Sequence, residues 1–237
     1  KVFGYCNDDD TTATITIRSI PQVLLPADQT YCGAQSINFS GLNHAPTIDT
    51  NFSSISAYRW RVLGGTVSFE GGTDSSSLYP QIKFQDTGWH DVLFTATNAC
   101  GESSADTQRI HIKPIPSLGN LSTIEVCPGD SIYPPAFVSN PNGASFTWTN
   151  SNTSIGLAAS GTGQIAPFMA ANNTSGNIRE GIITIISSIN GCSNSGDTLR
   201  IRVKPKPILN AISDIDVCPG DSVIIPAFSA SPNGASF

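Results

Sequence analysis

The sequence predicts an all-β protein made of tandem sandwich domains arranged end to end, and three observations carry that reading. Six cysteines recur with alternating short and long gaps of 26, 68, 27, 65 and 26 residues. Short apolar alternations are broken along the whole length by turn residues, with 16 Pro and 21 Gly in 237 residues. No window keeps a 3.6-residue apolar period, so long helices are not expected.

The cysteines fall into two classes. Cys32, Cys127 and Cys218 open a unit; Cys6, Cys100 and Cys192 close one. Other residues keep the same register. Pro21, Pro116 and Pro207 each precede an opening cysteine by 11 residues. The alternations Ile15-Thr16-Ile17, Ile110-His111-Ile112 and Ile201-Arg202-Val203 each lead into one of those prolines. Between Val126–Phe146 and Val217–Phe237, 15 of 21 positions are identical. Self-similarity of this kind marks a repeat architecture. The expected organisation is the terminal strands of a preceding repeat over 1–20, complete sandwiches over 21–115 and 116–206, and the start of a truncated repeat over 207–237. The chain then reads as a segment of a longer array.

Within a unit of 90–95 residues, frequent turns and short strands suggest two packed sheets. Tyr58, Trp60 and Val62 alternate with Arg59 and Arg61, which predicts a strand with one apolar face. Ile82 and Phe84, then Val92, Phe94 and Ala96, repeat the pattern. The run Ile182-Ile183-Thr184-Ile185-Ile186 lacks alternation and predicts a central strand covered on both faces. Trp60 and Trp148 lie 28 and 21 residues after an opening cysteine. A Trp buried between two cysteines is an immunoglobulin-type arrangement, so both are expected in cores. Trp89 follows a glycine at a strand corner and is expected to be at least partly exposed.

The stretches Tyr79-Pro80-Gln81-Ile82-Lys83-Phe84, Gly88-Trp89-His90-Asp91-Val92 and Thr97-Asn98-Ala99-Cys100-Gly101 resemble the closing half of a PKD domain, over about residues 22–113. That family's Trp-x-Phe-Gly-Asp-Gly motif stands here as Trp60-Arg61-Val62-Leu63-Gly64-Gly65. The Val-Cys-Pro-Gly-Asp-Ser units resemble PKD-like repeats of giant secreted Bacteroidota proteins, gliding-motility adhesins exported by the type IX system among them. The resemblance implies spacers, stalks and adhesive rods, and carries no catalytic residues with it.

Composition narrows the function classes. Only 13% of residues are charged and the net charge is −6, with no basic stripe, so nucleic acid is not an expected partner. No apolar run reaches the ~18 residues of a membrane span. His44, His90 and His111 lack partners at metal-ligand spacing, and His111 is expected to be solvated. No nucleophile elbow, phosphate loop or calcium loop is present. No enzyme activity, metal or cofactor is therefore expected. Asn7-Asp8-Asp9-Asp10 reads as a solvated turn, with a Ca²⁺ site, which needs several converging oxygens, as the alternative.

The cysteine spacing argues for structural bridges, Cys32–Cys100 and Cys127–Cys192, with Cys6 and Cys218 bonded to residues outside the segment. Each bridge would stabilise its domain by roughly 4 kcal/mol on a loop-entropy estimate and implies an extracellular compartment. Asp-Ser or Asp-Thr followed by an apolar residue or Thr resembles an O-glycosylation signal of secreted Bacteroidota proteins. It designates Thr11, Ser131, Thr198 and Ser222, and competes with an ordinary turn role for the same pairs.

The function expected is a structural or adhesive rod at the cell surface. Its partners would be further repeats of the same protein, copies in a filament, or a surface polysaccharide. The proline-rich joints Lys113-Pro114-Ile115-Pro116 and Lys204-Pro205-Lys206-Pro207 motivate this, because proline keeps a short linker extended. The alternatives are a carbohydrate-binding or spacer module of a secreted hydrolase, and a surface-layer or sheath component.

Overall fold

The computed structural model describes residues 15–50 and 53–233. The chain divides into two compact units, residues 1–113 and 114–237. Both are all-β sandwiches of immunoglobulin-like type.

The first unit contains β1 (Gln22–Leu24), β2 (Gln29–Cys32), β3 (Gln35–Asn38), β4 (Thr47–Asp49), β5 (Ala57–Leu63), β6 (Val67–Glu70), β7 (Gln81–Phe84), β8 (Gly88–Asn98), β9 (Gly101–Glu102) and β10 (Asp106–Lys113). One sheet runs β2-β10-β8-β5, with β9 hairpinned onto β8; the other runs β3-β7-β6, beside a β1-β4 pair. β2 lies parallel to the last strand, β10, and all other pairs are antiparallel. Alternation along β8 explains the layering: His90, Val92, Phe94, Ala96 and Asn98 point inward and are buried. Val92, Phe94 and Ala96 meet Ile37, Phe39, Ile82 and Phe84 from the opposite sheet in one core.

Trp60 on β5 stands opposite Phe94 on β8 and is 2% exposed. Its ring centroid is 4.4 Å from that of Phe94 and 4.8 Å from that of Phe39. The indole N–H donates to the Ser77 carbonyl at 2.9 Å, so burial leaves no polar atom of this side chain unpaired.

The second unit repeats the plan. Its strands are β11 (Ser117–Leu118), β12 (Ile124–Val126), β13 (Ser131–Ile132), β14 (Ser139–Asn140), β15 (Ser145–Asn150), β16 (Ser160–Thr162), β17 (Phe168–Met169), β18 (Arg179–Ile189), β19 (Cys192–Ser193), β20 (Asp197–Val203), β21 (Ile208–Leu209) and β22 (Ala230–Ser231). The main sheet is β12-β20-β18-β15-β16, with β19 on β18. β12 again lies parallel to the last strand of the sandwich, β20. β11-β14 and β13-β17 form small pairs, and β21-β22 repeats the β11-β14 pairing in the third copy. Trp148 is 8% exposed, inside a core with Ile155, Ile183, Ile185 and Leu199.

Two expectations fail here. The Ile-rich run is covered on one face only: Ile183 and Ile185 are buried, whereas Ile186 is 39% exposed. β18 faces the core on one side, and its other side is an outer sheet face, where Ile182 stands opposite Arg200. Residues 15–20 form no strand, and Ile15 and Ile17 are exposed. Alternation alone does not make a strand without a sheet partner, and no described strand pairs with this stretch.

Candidate functional sites at the poles and on the outer sheet face

Strand register places the cysteines at two opposite poles of each sandwich. Cys32 ends β2 level with Lys113, where the Gly33 amide donates to the Lys113 carbonyl at 2.8 Å. This is where the chain leaves the unit. Ile112, one residue back, is level with Gly88 at the start of β8. Cys100 lies past the far end of β8, in the turn joining Asn98 to Gly101. The Asn98 carboxamide accepts from the Cys100 amide at 2.8 Å and donates to the Ser19 carbonyl at 2.8 Å, tying this turn to the incoming chain. The ten-residue rise along β8 corresponds to about 33 Å.

The second unit matches. Cys127 follows Val126, which is level with Val203 at the exit. There the Lys204 amide donates to the Val126 carbonyl at 2.9 Å. Cys192 pairs with Ile189 at the other end of β18. Close by, the Ser187 hydroxyl donates to the Pro116 carbonyl at 3.4 Å, at the chain's entry. Arg179 to Ile189 again spans about 33 Å.

The expected pairings Cys32–Cys100 and Cys127–Cys192 are therefore corrected. Cys100 and Cys127 carry exposed free thiols, as does Cys218, whereas Cys32 and Cys192 are disulfide-bonded. A disulfide needs Cα atoms about 4.4–6.8 Å apart, several-fold closer than two poles of one sandwich. The opening cysteine stands on the edge strand beside the exit and not on a core strand, so Trp60 packs on aromatic rings and not on a bridge. Cys6 lies outside the described residues, with the Asn7–Asp10 cluster and Thr11.

The remaining hydroxyl candidates, Ser131, Thr198 and Ser222, are all exposed. The aspartates before them have structural roles. Asp130 closes the Cys-Pro-Gly-Asp turn: its carboxylate accepts from the Cys127 amide at 2.9 Å, and Asp221 does the same for Cys218 at 3.0 Å. Gly129 at φ 84° and Gly220 at φ 97° make these turns possible. Asp197 accepts from the Leu118 amide at 3.2 Å and from the Asn194 side chain at 2.7 Å.

The histidines are spread over the first unit. His44 is buried between the Tyr31 hydroxyl at 2.7 Å and the Gln108 side-chain oxygen at 2.9 Å. His90 is buried, with Nε2 2.9 Å from the Asp86 carbonyl and Nδ1 on the Gly64 carbonyl. His111 is half-buried, not solvated, because it stacks on Trp89 across the β8-β10 pair, centroids 4.2 Å apart and planes within 10°. The Arg109 guanidinium carbon lies 4.5 Å from the Trp89 centroid and its Nε 3.1 Å from Asp91. Trp89 is 48% exposed, so the outer face of the first unit carries an aromatic-cation cluster. Among the described residues no group of three or more His, Cys, Asp or Glu is placed to hold a metal, and no helix is long and apolar enough to cross a membrane.

No protein-family profile matches the chain, and no curated protein matches it. Solved structures with some likeness include insect hemolin, at 11% identity over 83% of this chain and 49% of that one, TM-score 0.45. The I67–I69 I-band fragment of titin shows 11% identity over 79% and 66%, TM-score 0.40. Fibronectin(III)-like modules of Clostridium thermocellum CbhA show 12% identity over 78% and 95%, TM-score 0.30.

Proposed function

We propose that the chain is a segment of an extracellular repeat array, the stalk or filament of a cell-surface adhesin of the kind used in gliding motility. The observation that carries this reading is the path of the chain through each unit. It enters at one pole and leaves at the other, displaced by about 33 Å, and each unit closes its own core. A unit of that kind adds length when it is repeated. Stability then comes from within each repeat plus nearest-neighbour contacts. The complete repeats are residues 21–115 and 116–206, and an oxidising compartment suits the disulfide-bonded Cys32 and Cys192.

Chains of one, two and four repeats, measured by small-angle X-ray scattering, test the reading. The maximum dimension should rise by about 35–45 Å per repeat, a sandwich height plus its linker. A dimension that levels off at the second repeat overturns it. One observation favours a second reading, a carbohydrate-binding spacer of a secreted hydrolase: the exposed Trp89 beside His111 and Arg109. Binding of soluble polysaccharide that is lost in Trp89→Ala would select that reading.

A further inference from the structure

We propose that the outer sheet face of the first unit carries a binding site for an acidic polysaccharide, anchored by Arg59 and Arg61. The inference is confined to residues 57–105. It stands without the stalk reading, and its site lies apart from the Trp89 cluster, so each can fail without the others.

Strand alternation on β5 sends Trp60 into the core and leaves Arg59 and Arg61 exposed on the outer face. Two residues apart on one strand, their Cα atoms are separated by about 6.7 Å. Among the described residues neither guanidinium has a hydrogen bond or an ion pair. The chain has acids to spare, with 18 Asp and Glu against 12 Lys and Arg. Other sheet cations have found them: Lys83 pairs with Glu70, Arg109 with Asp91, and Arg200 and Arg202 with Glu180. Two unpaired like charges side by side repel, and an anion set between them removes that repulsion.

The two arginines line a cleft of about 210 Å³ with Leu93, Thr95, Glu102 and Ser103. Arg59 is level with Thr95 and Arg61 with Leu93 across the β5-β8 pair. Ser103 is 7% exposed. Its oxygen accepts the Ala96 amide at 3.1 Å, and among the described residues its own hydroxyl proton has no acceptor. Buried hydroxyls ordinarily satisfy both roles, and a ligand oxygen in the cleft completes the second. Glu102 is the acid in the lining, with its carboxylate accepting from the Thr95 hydroxyl at 2.6 Å.

The second unit lacks this pair. Trp148 takes the place of Trp60 there, and its neighbours on the outer face of β15 are Thr147 and Thr149. The sandwich therefore forms without two arginines at these positions. A role in the common scaffold would recur with the scaffold, whereas a role in ligand binding need not.

The ligand follows from the donors. Guanidinium forks match the paired oxygens of a carboxylate or sulfate. The facing backbones of β5 and β8 are committed to their ladder, so the face does not suit a peptide, which is held through main-chain bonds at a sheet edge. Two cations are too few for nucleic acid, whose binding draws on many phosphate contacts. A glycan chain presents widely spaced acidic groups among hydroxyls, which matches two arginines beside Ser103 and Thr95.

Affinity electrophoresis of the 237-residue chain through gels holding polygalacturonate or neutral dextran tests the site. Polygalacturonate should retard the chain and dextran should not. Arg59→Gln combined with Arg61→Gln should weaken binding at least about tenfold, as expected for lost charged hydrogen bonds, and leave the urea midpoint of the unit in place. Glu102→Gln removes the one opposing charge and should strengthen binding. Trp89→Ala should leave it unchanged, because Trp89 lies about 13 Å along β8 from Leu93. Equal retardation of the chain and its double arginine variant, retardation by dextran, or loss of binding in Trp89→Ala overturns the proposal. Polyglutamate that competes as well as polygalacturonate also overturns it, because the face would then read charge alone.

Discussion

Asp106 holds the last strand of the first sandwich to its first: one carboxylate oxygen accepts the Leu25 amide at 2.7 Å. Asp197 does the same for Leu118 in the second sandwich, at 3.2 Å. In both units this aspartate opens the final strand, ahead of a Thr whose side chain points outward. Asp106→Ala is expected to destabilise its own unit by about 1.5–3 kcal/mol, the range for a hydrogen bond to a charged group. Urea titration of the isolated residues 15–113 measures it. A change below a few tenths would mean that water replaces the carboxylate without cost.

Trp60 and Trp89 should separate cleanly by mutation. Trp60→Ala removes a fully buried ring that touches Phe39 and Phe94 and orphans the Ser77 carbonyl, so a loss of about 3–5 kcal/mol is expected. Trp89→Ala removes a half-exposed ring whose partners are His111 and Arg109. Cation-π contacts at exposed sites contribute about 0.5–1 kcal/mol, and the loss should stay near that. Denaturation midpoints of the two variants decide it, and similar shifts would refute the assignment of core and surface.

Gly161 lies against Trp148 so closely that a Cβ there would come within 2.2 Å of the ring carbon Cζ2. Gly64, at φ +85°, would place a Cβ 2.6 Å from the Trp89 carbonyl oxygen. Gly161→Ala tests packing alone, and the ring must move, which costs about 1–3 kcal/mol in a filled core. Gly64→Ala adds backbone strain to a clash with main chain, which cannot rotate away. The second substitution should therefore be the more damaging, as read by thermal unfolding of each variant.

Much of the sandwich was legible in the sequence, because strand alternation is a local signal. Tyr58–Val62 and Val92–Ala96 announced two adjacent core strands, and Trp60 and Trp148 sit where their alternation put them. The Ile-rich stretch misled because Ile182 and Ile186, with Thr184 between them, lie on an outer sheet face, where Ile182 stands opposite Arg200. The cysteines misled for a different reason. Gaps of 68 and 65 residues arise equally whether the two sulfurs of a repeat share a pole or stand at opposite ones, and only the first placement allows a bridge between them. Only the pairing of Cys32 with Lys113 and of Cys192 with Ile189 separates those cases, and register between distant strands is not written in spacing. Nor could the sequence show that Trp89 stacks on His111, since cross-strand partners depend on that same register.

Acid sensitivity should follow from surface carboxylates, and its sign can be worked out. Hydrogen bonding to Ser36, aided by the Lys83 charge, holds Glu70 below its ordinary value. The hydroxyl and amide of Ser76 lower Asp74, contacts with Thr66 lower Asp86, and hydrogen bonding to Arg200, with the Arg202 charge nearby, lowers Glu180. In each case the folded state binds its proton less readily than the unfolded chain. The stabilisation is complete above the unfolded carboxylate range of about 4 and is lost as the pH falls through the lower folded values. Tyr31 acts at the other end: burial raises its pKa, so its contribution fades as pH rises above about 10, where the unfolded phenol ionises. All four carboxylates are solvent-exposed, so each effect should be small and screened by salt. Urea midpoints are therefore expected to be flat between about pH 5 and 9 and to fall below about 4. Glu180→Gln should shallow that acid decline in the second unit and leave the first unchanged. A midpoint that holds constant down to pH 2 would show that these carboxylates are no better partnered in the folded sandwich than in the unfolded chain.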